Sequence, residues 1–377
     1  MLFTRLKRGA APLEAIAPPG NVQTLLAVIA ATVVVTVLGA VSGSVVWLFG
    51  LLVFLPATAS ALGTVRQTAF VSAWSAVVVT AGVIARPNGD RNWLDDTLMV
   101  LLTLILGTGS VYACQRRIDR ENEMLRLRST AAAMQRHILR PLPLLTDDVL
   151  VDGVYEPLQE ERLVGGDIYD VISSPWGTRV LIGDVQGKGL AAVGAAFAVI
   201  GAFREAAHRE ATLTALVDAL DQSVVQHNSY AEGTGEDERF VTALVISVDP
   251  GTEVQAVNCG HIPPDLLHEG TVTRPRLDTG VPLGLASLAG EPVVVSWFDF
   301  PAGATLLLST DGLTETRASD GSFYPLEERL AARARLSPSE LPRALCDDVR
   351  AFAGKAGQQD DLAVVTVRRT PHRAVPD

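Results

Sequence analysis

Arg179-Val180-Leu181-Ile182-Gly183-Asp184-Val185-Gln186-Gly187-Lys188-Gly189 is the stretch on which the fold turns. Its first six residues predict a buried strand, Arg179–Asp184, that delivers an aspartate to a glycine-rich turn. The apolar run that follows predicts a helix near Gly189–His208. The turn is not a phosphate-binding P-loop, because the G-x-x-x-x-G-K-[ST] frame is absent. The same arrangement recurs along the chain. Asp311 ends the run Leu306-Leu307-Leu308-Ser309-Thr310 and precedes Gly312, Asp360 and Asp361 open Leu362-Ala363-Val364-Val365, and Asp167 follows Gly165-Gly166. One acidic residue beside glycine is ordinary turn chemistry. Four such places in one domain point further. Carboxylate oxygens are what Mg²⁺ and Mn²⁺ prefer, and carboxylates gathered in space repel one another unless cations neutralise them.

Further strands are predicted at Val241–Val248, Glu253–Asn258, Pro292–Phe298, Thr305–Ser309 and Leu362–Val367. Further helices are predicted at Leu213–Asn228, Leu326–Arg335 and Ser339–Ala353, with Thr212 and Ser337 as start signals. Consecutive strands between Val241 and Ser309 are not a βαβ repeat and predict antiparallel sheets flanked by helices, an α+β domain. His261, in a proline-rich turn after a strand, reads as structural, and His137, His208 and His227 as surface or packing residues.

Charge divides the chain. Residues 1–114 carry six Lys/Arg and four Asp/Glu, residues 115–140 seven and three, and residues 141–377 eighteen and thirty-five, a net of −17. A region that acidic does not grip nucleic acid. Three cysteines, none in a C-x-x-C pair, suggest neither a disulfide framework nor a thiolate zinc site.

Four stretches lack charged residues: Val22–Val41, Val45–Leu62, Ala69–Ala85 and Thr97–Cys114. Each is long enough to cross a hydrocarbon core of roughly 30 Å as a helix. Residues 1–114 are therefore expected to be a multi-pass region of the cell membrane. Arg5, Lys7, Arg8, Arg66 and the arginines from Arg116 onward place both termini and the region beyond in the cytoplasm. A cleaved signal peptide is the competing reading of the first stretch, disfavoured by the three that follow. The links between spans are too short for a sensor domain, so the region either senses within the bilayer or only anchors.

Residues 115–143 read as a helical linker ended by Pro141 and Pro143. Met124, Leu127, Ala131, Met134 and Ile138 form a 3-4-3-4 seam, which fits either a homodimeric coiled coil or a helix packed on its own domain. The end of the chain, 369–377, reads as a disordered tail.

The segments GGDIYD (165–170), IGDVQGKG (182–189), NCGHIPPDLL (258–267), GVPLGL (280–285), LSTDGLTE (308–315) and DDLAVVTV (360–367) resemble, in order, those of the metal-dependent (PPM-type) protein serine/threonine phosphatases. They look most like the bacterial branch of stage-II sporulation protein E and sigma-regulator phosphatases. The resemblance covers about residues 145–368, within a domain placed at 144–368. It implies an αββα sandwich with two Mn²⁺ or Mg²⁺ ions at one edge. By motif, Asp184 resembles the aspartate bridging both metals, the Val185 carbonyl joins the second, and Asp167 stands near that metal. Asp311 and Asp360 resemble the carboxylates of the other, with Asp361 the rival for Asp360 and Asp170 an outer group. The implied reaction is hydrolysis by a metal-activated water, without a phosphoenzyme. Two departures stand out. Lys188 replaces a histidine common among relatives, as a phosphate-attracting charge or simply a solvated helix-start lysine. Gln186 occupies the place of the histidine that eukaryotic members carry beside the bridging aspartate.

The implied function is a membrane-anchored phosphatase acting on a phosphorylated cytoplasmic regulatory protein, with an anti-sigma-factor antagonist as the substrate class by analogy. Two alternatives are a catalytically silent membrane signalling scaffold, against which all four matched carboxylates argue, and a two-metal small-molecule phosphohydrolase, for which no nucleotide-binding motif speaks.

Overall fold

The computed structural model describes residues 20–42, 52, 54–85, 92–156, 166–187, 190–234, 237–290, 292–354 and 360–370. The chain divides into two compact units, Met1–Met124 and Leu125–Asp377.

In the first unit the described helices are α1 (Asn21–Ser42), α2 (Leu55–Leu62), α3 (Val65–Ile84) and the start of α4 (Trp93–Ile138). Among the described residues, three helices are long and apolar enough to cross a membrane, over Asn21–Leu38, Val65–Ile84 and Trp93–Leu127. The predicted span Val45–Leu62 lies mostly outside the described residues, and its end is α2. Two side-chain hydrogen bonds link helices of this unit. Gln67 Nε2 donates to Asn21 Oδ1 at 3.0 Å and Trp74 Nε1 to Thr32 Oγ1 at 3.0 Å. Thr64 and Gln67 close a capping box at the start of α3.

The second unit is built on two antiparallel sheets. One runs β1-β2-β11-β10-β7-β8, where β1 is Leu144–Leu145, β2 Val149–Glu156, β7 Asp265–His268, β8 Thr271–Thr273, β10 Thr305–Ser309 and β11 Leu362–Arg369. The other runs β3-β4-β5-β6-β9, where β3 is Asp167–Ser174, β4 Gly177–Val185, β5 Val241–Val248, β6 Glu253–Cys259 and β9 Ser296–Asp299. The period-two alternation of strands assigns the layers. Leu306, Leu308, Val365 and Val367 enter the core shared with the β3–β9 sheet, whereas Leu307, Leu362 and Val364 face a second core. That second core is completed by α9 (Leu326–Ala331) and α10 (Leu341–Ala353). Helices α5 (Leu190–Arg209) and α6 (Leu213–Thr234) cover the opposite sheet through Val199, Phe203, Leu216 and Leu220. Two short helices, α7 (Ala286–Ala289) and α8 (Asp311–Thr314), complete the described set. The order is helix, sheet, sheet, helix: the αββα sandwich expected from the sequence.

The structure corrects several boundaries. The strand predicted from Pro292 begins only at Ser296, and the helix predicted to Arg335 ends at Ala331, where turns take over. Arg369 does not belong to a tail. It ends β11, 7% exposed, and its guanidinium donates to the carbonyls of Phe300 at 3.1 Å and Asp249 at 2.6 Å. Residues 371–377 lie outside the described set. Of the linker seam, Met124 and Leu127 are exposed while Ile138 packs against the second unit's own core beside buried Leu139; the side chains of Ala131 and Met134 lie outside the described residues.

Candidate metal centre

Strand pairing brings the first two acidic motifs together. In the β3–β4 ladder, Asp167 stands opposite Asp184. Gly166, just before β3, lets them close up. A Cβ there would lie 2.6 Å from Asp184 Oδ1 and 2.6 Å from the Val185 carbonyl oxygen. Any other residue would occupy the space beside the two oxygens that the motif comparison assigns to metals.

The other two motifs meet at the neighbouring ends of β10 and β11. Asp311 begins α8 directly after β10, and Asp360-Asp361 precede β11. A Cβ on Gly312 would lie 1.8 Å from the Asp361 carbonyl oxygen, so glycine is what permits this contact. Asp360 Oδ1 accepts the Asp361 backbone N–H at 2.9 Å.

Thr310 joins the two pairs across the sandwich. It is fully buried, and its hydroxyl donates to Asp167 Oδ2 at 2.7 Å while accepting the Ala363 N–H at 3.0 Å. Its own N–H donates to the Ala363 carbonyl at 3.1 Å. One hydroxyl therefore ties β3 to both β10 and β11, and nothing in LSTDGLTE singled it out.

The electrostatics follow from this crowding. Burial raises the Asp167 carboxyl well above its ordinary range, and the charge of Asp184 adds to the rise; the Thr310 hydrogen bond opposes it, and Asp361 and Asp311 push the same way. Burial, then Asp311 and Asp360, push Asp184 up to about 7, against a hydrogen bond shared with Asp167. Carboxylates so placed cannot all ionise near neutrality without positive charge beside them. Among the described residues, no group of three or more acidic, histidine or cysteine side chains is gathered closely enough to hold a metal ion. The fold brings the acidic strand ends within electrostatic reach of one another. The donors that the resemblance implies, all oxygen and including one backbone carbonyl, are of the kind Mg²⁺ or Mn²⁺ takes.

Around this centre, Asp170 is fully buried on β3, bonded to Arg204 Nε at 2.6 Å and within 3.4 Å of Arg140 Nε. The Arg204 guanidinium also donates to the Ile138 carbonyl. The turn after β4 is held by Arg239, whose Nη1 donates to the Gln186 carbonyl at 2.6 Å. Lys188 lies outside the described residues. His261 is 6% exposed, and its Nδ1 is 3.1 Å from Thr242 Oγ1, beside β4. Burial depresses its pKa to about 4, so the ring is neutral near pH 7.

Solved structures share this architecture. The SiaA-PP2C domain of Pseudomonas aeruginosa superposes with a TM-score of 0.53 at 19% identity, covering 68% of this chain and 98% of that one. The RsbU and RsbW domains of a Mycobacterium tuberculosis protein give 0.48 at 23% identity, covering 59% of this chain, which spans 60% of that one. The PP2C phosphatase domain of Bacillus subtilis SpoIIE, with a fragment of its regulatory domain, gives 0.47 at 18% identity, covering 60% and 65%. The first of these shows the PP2C fold. The stage II sporulation protein E (SpoIIE) profile matches residues 174–370, more than half of the chain, and the chain therefore belongs to the SpoIIE family of PP2C-type serine/threonine phosphatases.

Proposed function

We propose that this chain is a membrane-anchored protein phosphatase that hydrolyses phosphoserine and phosphothreonine on a cytoplasmic regulatory protein, of which an anti-sigma-factor antagonist is the type, with two Mn²⁺ or Mg²⁺ ions. The observation that carries the reading is the convergence of Asp167, Asp184, Asp311, Asp360 and Asp361, with Gly166 leaving room for the Asp184 carboxylate and the Val185 carbonyl.

Asp184 would hold both cations, with the Val185 carbonyl and Asp167 on one side and Asp311 and Asp360 on the other; Asp361 remains the rival for the last place. When bound, the cations neutralise the phosphoryl oxygens and acidify a water for in-line attack. The chain's own contribution is placement. Thr310 fixes the Asp167 carboxylate, and the β3–β4 ladder fixes Asp184 against it. Such preorganised charge costs no rearrangement when the reaction occurs. His261 is not the acid that protonates the leaving alkoxide, since its ring is neutral, buried and engaged with Thr242. Lys188 is the candidate for attracting the phosphate.

The apolar helices of the first unit support a multi-pass anchor in the cell membrane, and the arginines that follow the last of them support a phosphatase on the cytoplasmic side. Reporter fusions after Arg120 and at the C-terminus should read cytoplasmic, and one at Gly89 external. A homodimer through the linker seam belongs to the same proposal, and exposed Met124 and Leu127 are the positions available to it.

The deciding experiment assays the full-length protein in lipid nanodiscs on a phosphoserine peptide. Activity should vanish in chelator and return with Mn²⁺ or Mg²⁺. Undiminished turnover after exhaustive metal removal would overturn the proposal.

A further inference from the structure

A cavity of about 430 Å³ lies between α6, the end of β6 and the segments 278–286 and 292–294, and none of the five acidic residues of the proposed metal centre lines it. Its volume is in the range of small-molecule sites, roughly 300–1,000 Å³. Its floor is apolar and closed to solvent: Val217, Val257 and Leu283 are each 2% exposed. Asp218 and Asp221 enter from one face of α6, three residues apart, and Asp278 from the facing loop. Among the described residues, no lysine, arginine or histidine lines the cavity.

The walls are fixed by hydrogen bonds. Asp221 Oδ1 accepts the Gly284 N–H at 2.7 Å, which ties α6 to the loop. Gly280 N–H donates to the Asn258 carbonyl at 2.7 Å, and Leu283 exchanges two backbone bonds with Val241. The space is thus a built feature of the loop's docking.

A cysteine also lines the cavity. Cys259, 5% exposed, lines it with a free thiol that forms no hydrogen bond among the described residues. Burial and the Asp221 carboxylate push that thiol up to about 12. It is therefore no nucleophile, and what binds here binds reversibly.

These features select a ligand class. Three carboxylates without a basic partner in the lining repel anions. A bare hard cation would want oxygen on every side, and most of the lining here is carbon. An apolar body satisfies the floor, and one positive head satisfies the acidic rim. We propose that this cavity is a binding site for a small organic cation, with Val217, Val257 and Leu283 taking an apolar body and Asp218, Asp221 and Asp278 taking an ammonium group. No nearby motif assigns such a site, and the inference stands apart from the phosphatase reaction.

The test uses three probes with one apolar body: 2-phenylethylammonium, 2-phenylethanol and 3-phenylpropionate. Binding to the full chain in lipid nanodiscs is measured by saturation-transfer NMR and calorimetry, with empty nanodiscs subtracted. The ammonium should bind at least about tenfold more tightly than the alcohol, the scale of one charge-assisted hydrogen bond, and the carboxylate should not bind. Asp218→Asn with Asp278→Asn, both on the solvent side of the rim, should weaken that preference, Asp221 remaining, while near-UV circular dichroism stays unchanged. Equal binding of ammonium and alcohol, no binding of the ammonium at millimolar concentration, or an unchanged preference in the double variant would each overturn the proposal.

Discussion

Strand β3 carries two buried aspartates three residues apart, and the molecule treats them in opposite ways. Asp170 is met by Arg204 and Arg140 and helps hold α5 and the end of α4 to the sheet. Asp167 is met by the Thr310 hydroxyl and is repelled by Asp184, Asp361 and Asp311. Both side chains are buried at a desolvation cost. At Asp170 fixed guanidinium groups offset that cost, and the result is structure. At Asp167 the fold brings further negative charge, and the result is a carboxyl that ionises only with difficulty. Burial of a carboxylate thus says little about function until the sign of its neighbours is known.

The largest break of this comparison comes from the crowded end. Asp184→Asn and Asp311→Asn should each lower turnover on a phosphopeptide by more than about a hundredfold, the upper range for losing even an outer partner of a metal ligand, with the circular dichroism of the folded protein intact. Asp320→Asn, in an exposed turn where Asp320 only bonds Ser322, should leave the rate unchanged. A near-normal rate for Asp184→Asn would mean that the acidic cluster is not the catalytic centre.

Next come the two aspartates of β3 themselves. Asp170→Asn strands two arginines around a neutral group and should cost about 2 kcal/mol in urea unfolding of residues 125–377. That is less than the roughly 3–5 kcal/mol of a fully buried pair, because the Arg140 and Arg204 side chains are 39% and 40% exposed. Asp167→Asn removes repulsion and should leave the metal-free protein as stable as the parent or more so. If both variants destabilise equally without metal, the distinction between the two sites fails.

Thr310 sharpens the comparison at smaller scale. Thr310→Val keeps the shape but removes the donor to Asp167 and the acceptor for Ala363 N–H. It should raise the Mn²⁺ concentration for half-maximal activity about tenfold, while Thr310→Ser, which keeps the hydroxyl, should not. An unchanged Mn²⁺ midpoint in Thr310→Val would reduce the residue to packing.

Why some of this was legible in the chain and some was not has a physical reason. Strand β4 and its Asp184 stand out because a strand buried on both faces reads as an unbroken apolar run. Strands β5 and β10 begin and end where their apolar runs do, at Val241–Val248 and Thr305–Ser309. Strand β3 does not show itself, because Asp-Ile-Tyr-Asp-Val-Ile-Ser-Ser looks half polar. What lets it be buried is supplied from elsewhere: Arg204 lies 34 residues away, and Thr310 lies 143 away. The wholly polar role of Thr310 has no period and no spacing to betray it. The cavity beside α6 is likewise made by a loop returning over a helix, which local pattern does not encode.

The smallest expected effect is a pH dependence, and it follows from the direction of the Asp184 shift. In the metal-free protein its carboxyl is raised from 3.8 to about 7, and Asp167 moves the same way. A carboxyl raised on folding binds more protons in the folded state than in the unfolded one. Its contribution to stability is therefore fully present below about pH 3.8 and is lost as pH rises through about 7. Bound metal answers the same negative charge and competes with those protons. Saturating Mn²⁺ should then raise the unfolding temperature more at pH 8 than at pH 6, by about 2–4 °C, the shift that roughly 1 kcal/mol produces in a domain of this size. Asp184→Asn should abolish the difference between the two pH values, and proton release on Mn²⁺ binding, read with a pH indicator in weak buffer, should fall in the same variant. An equal Mn²⁺ effect at both pH values would show that metal does not replace protons on these carboxylates, and the contrast between Asp167 and Asp170 would lose its electrostatic basis.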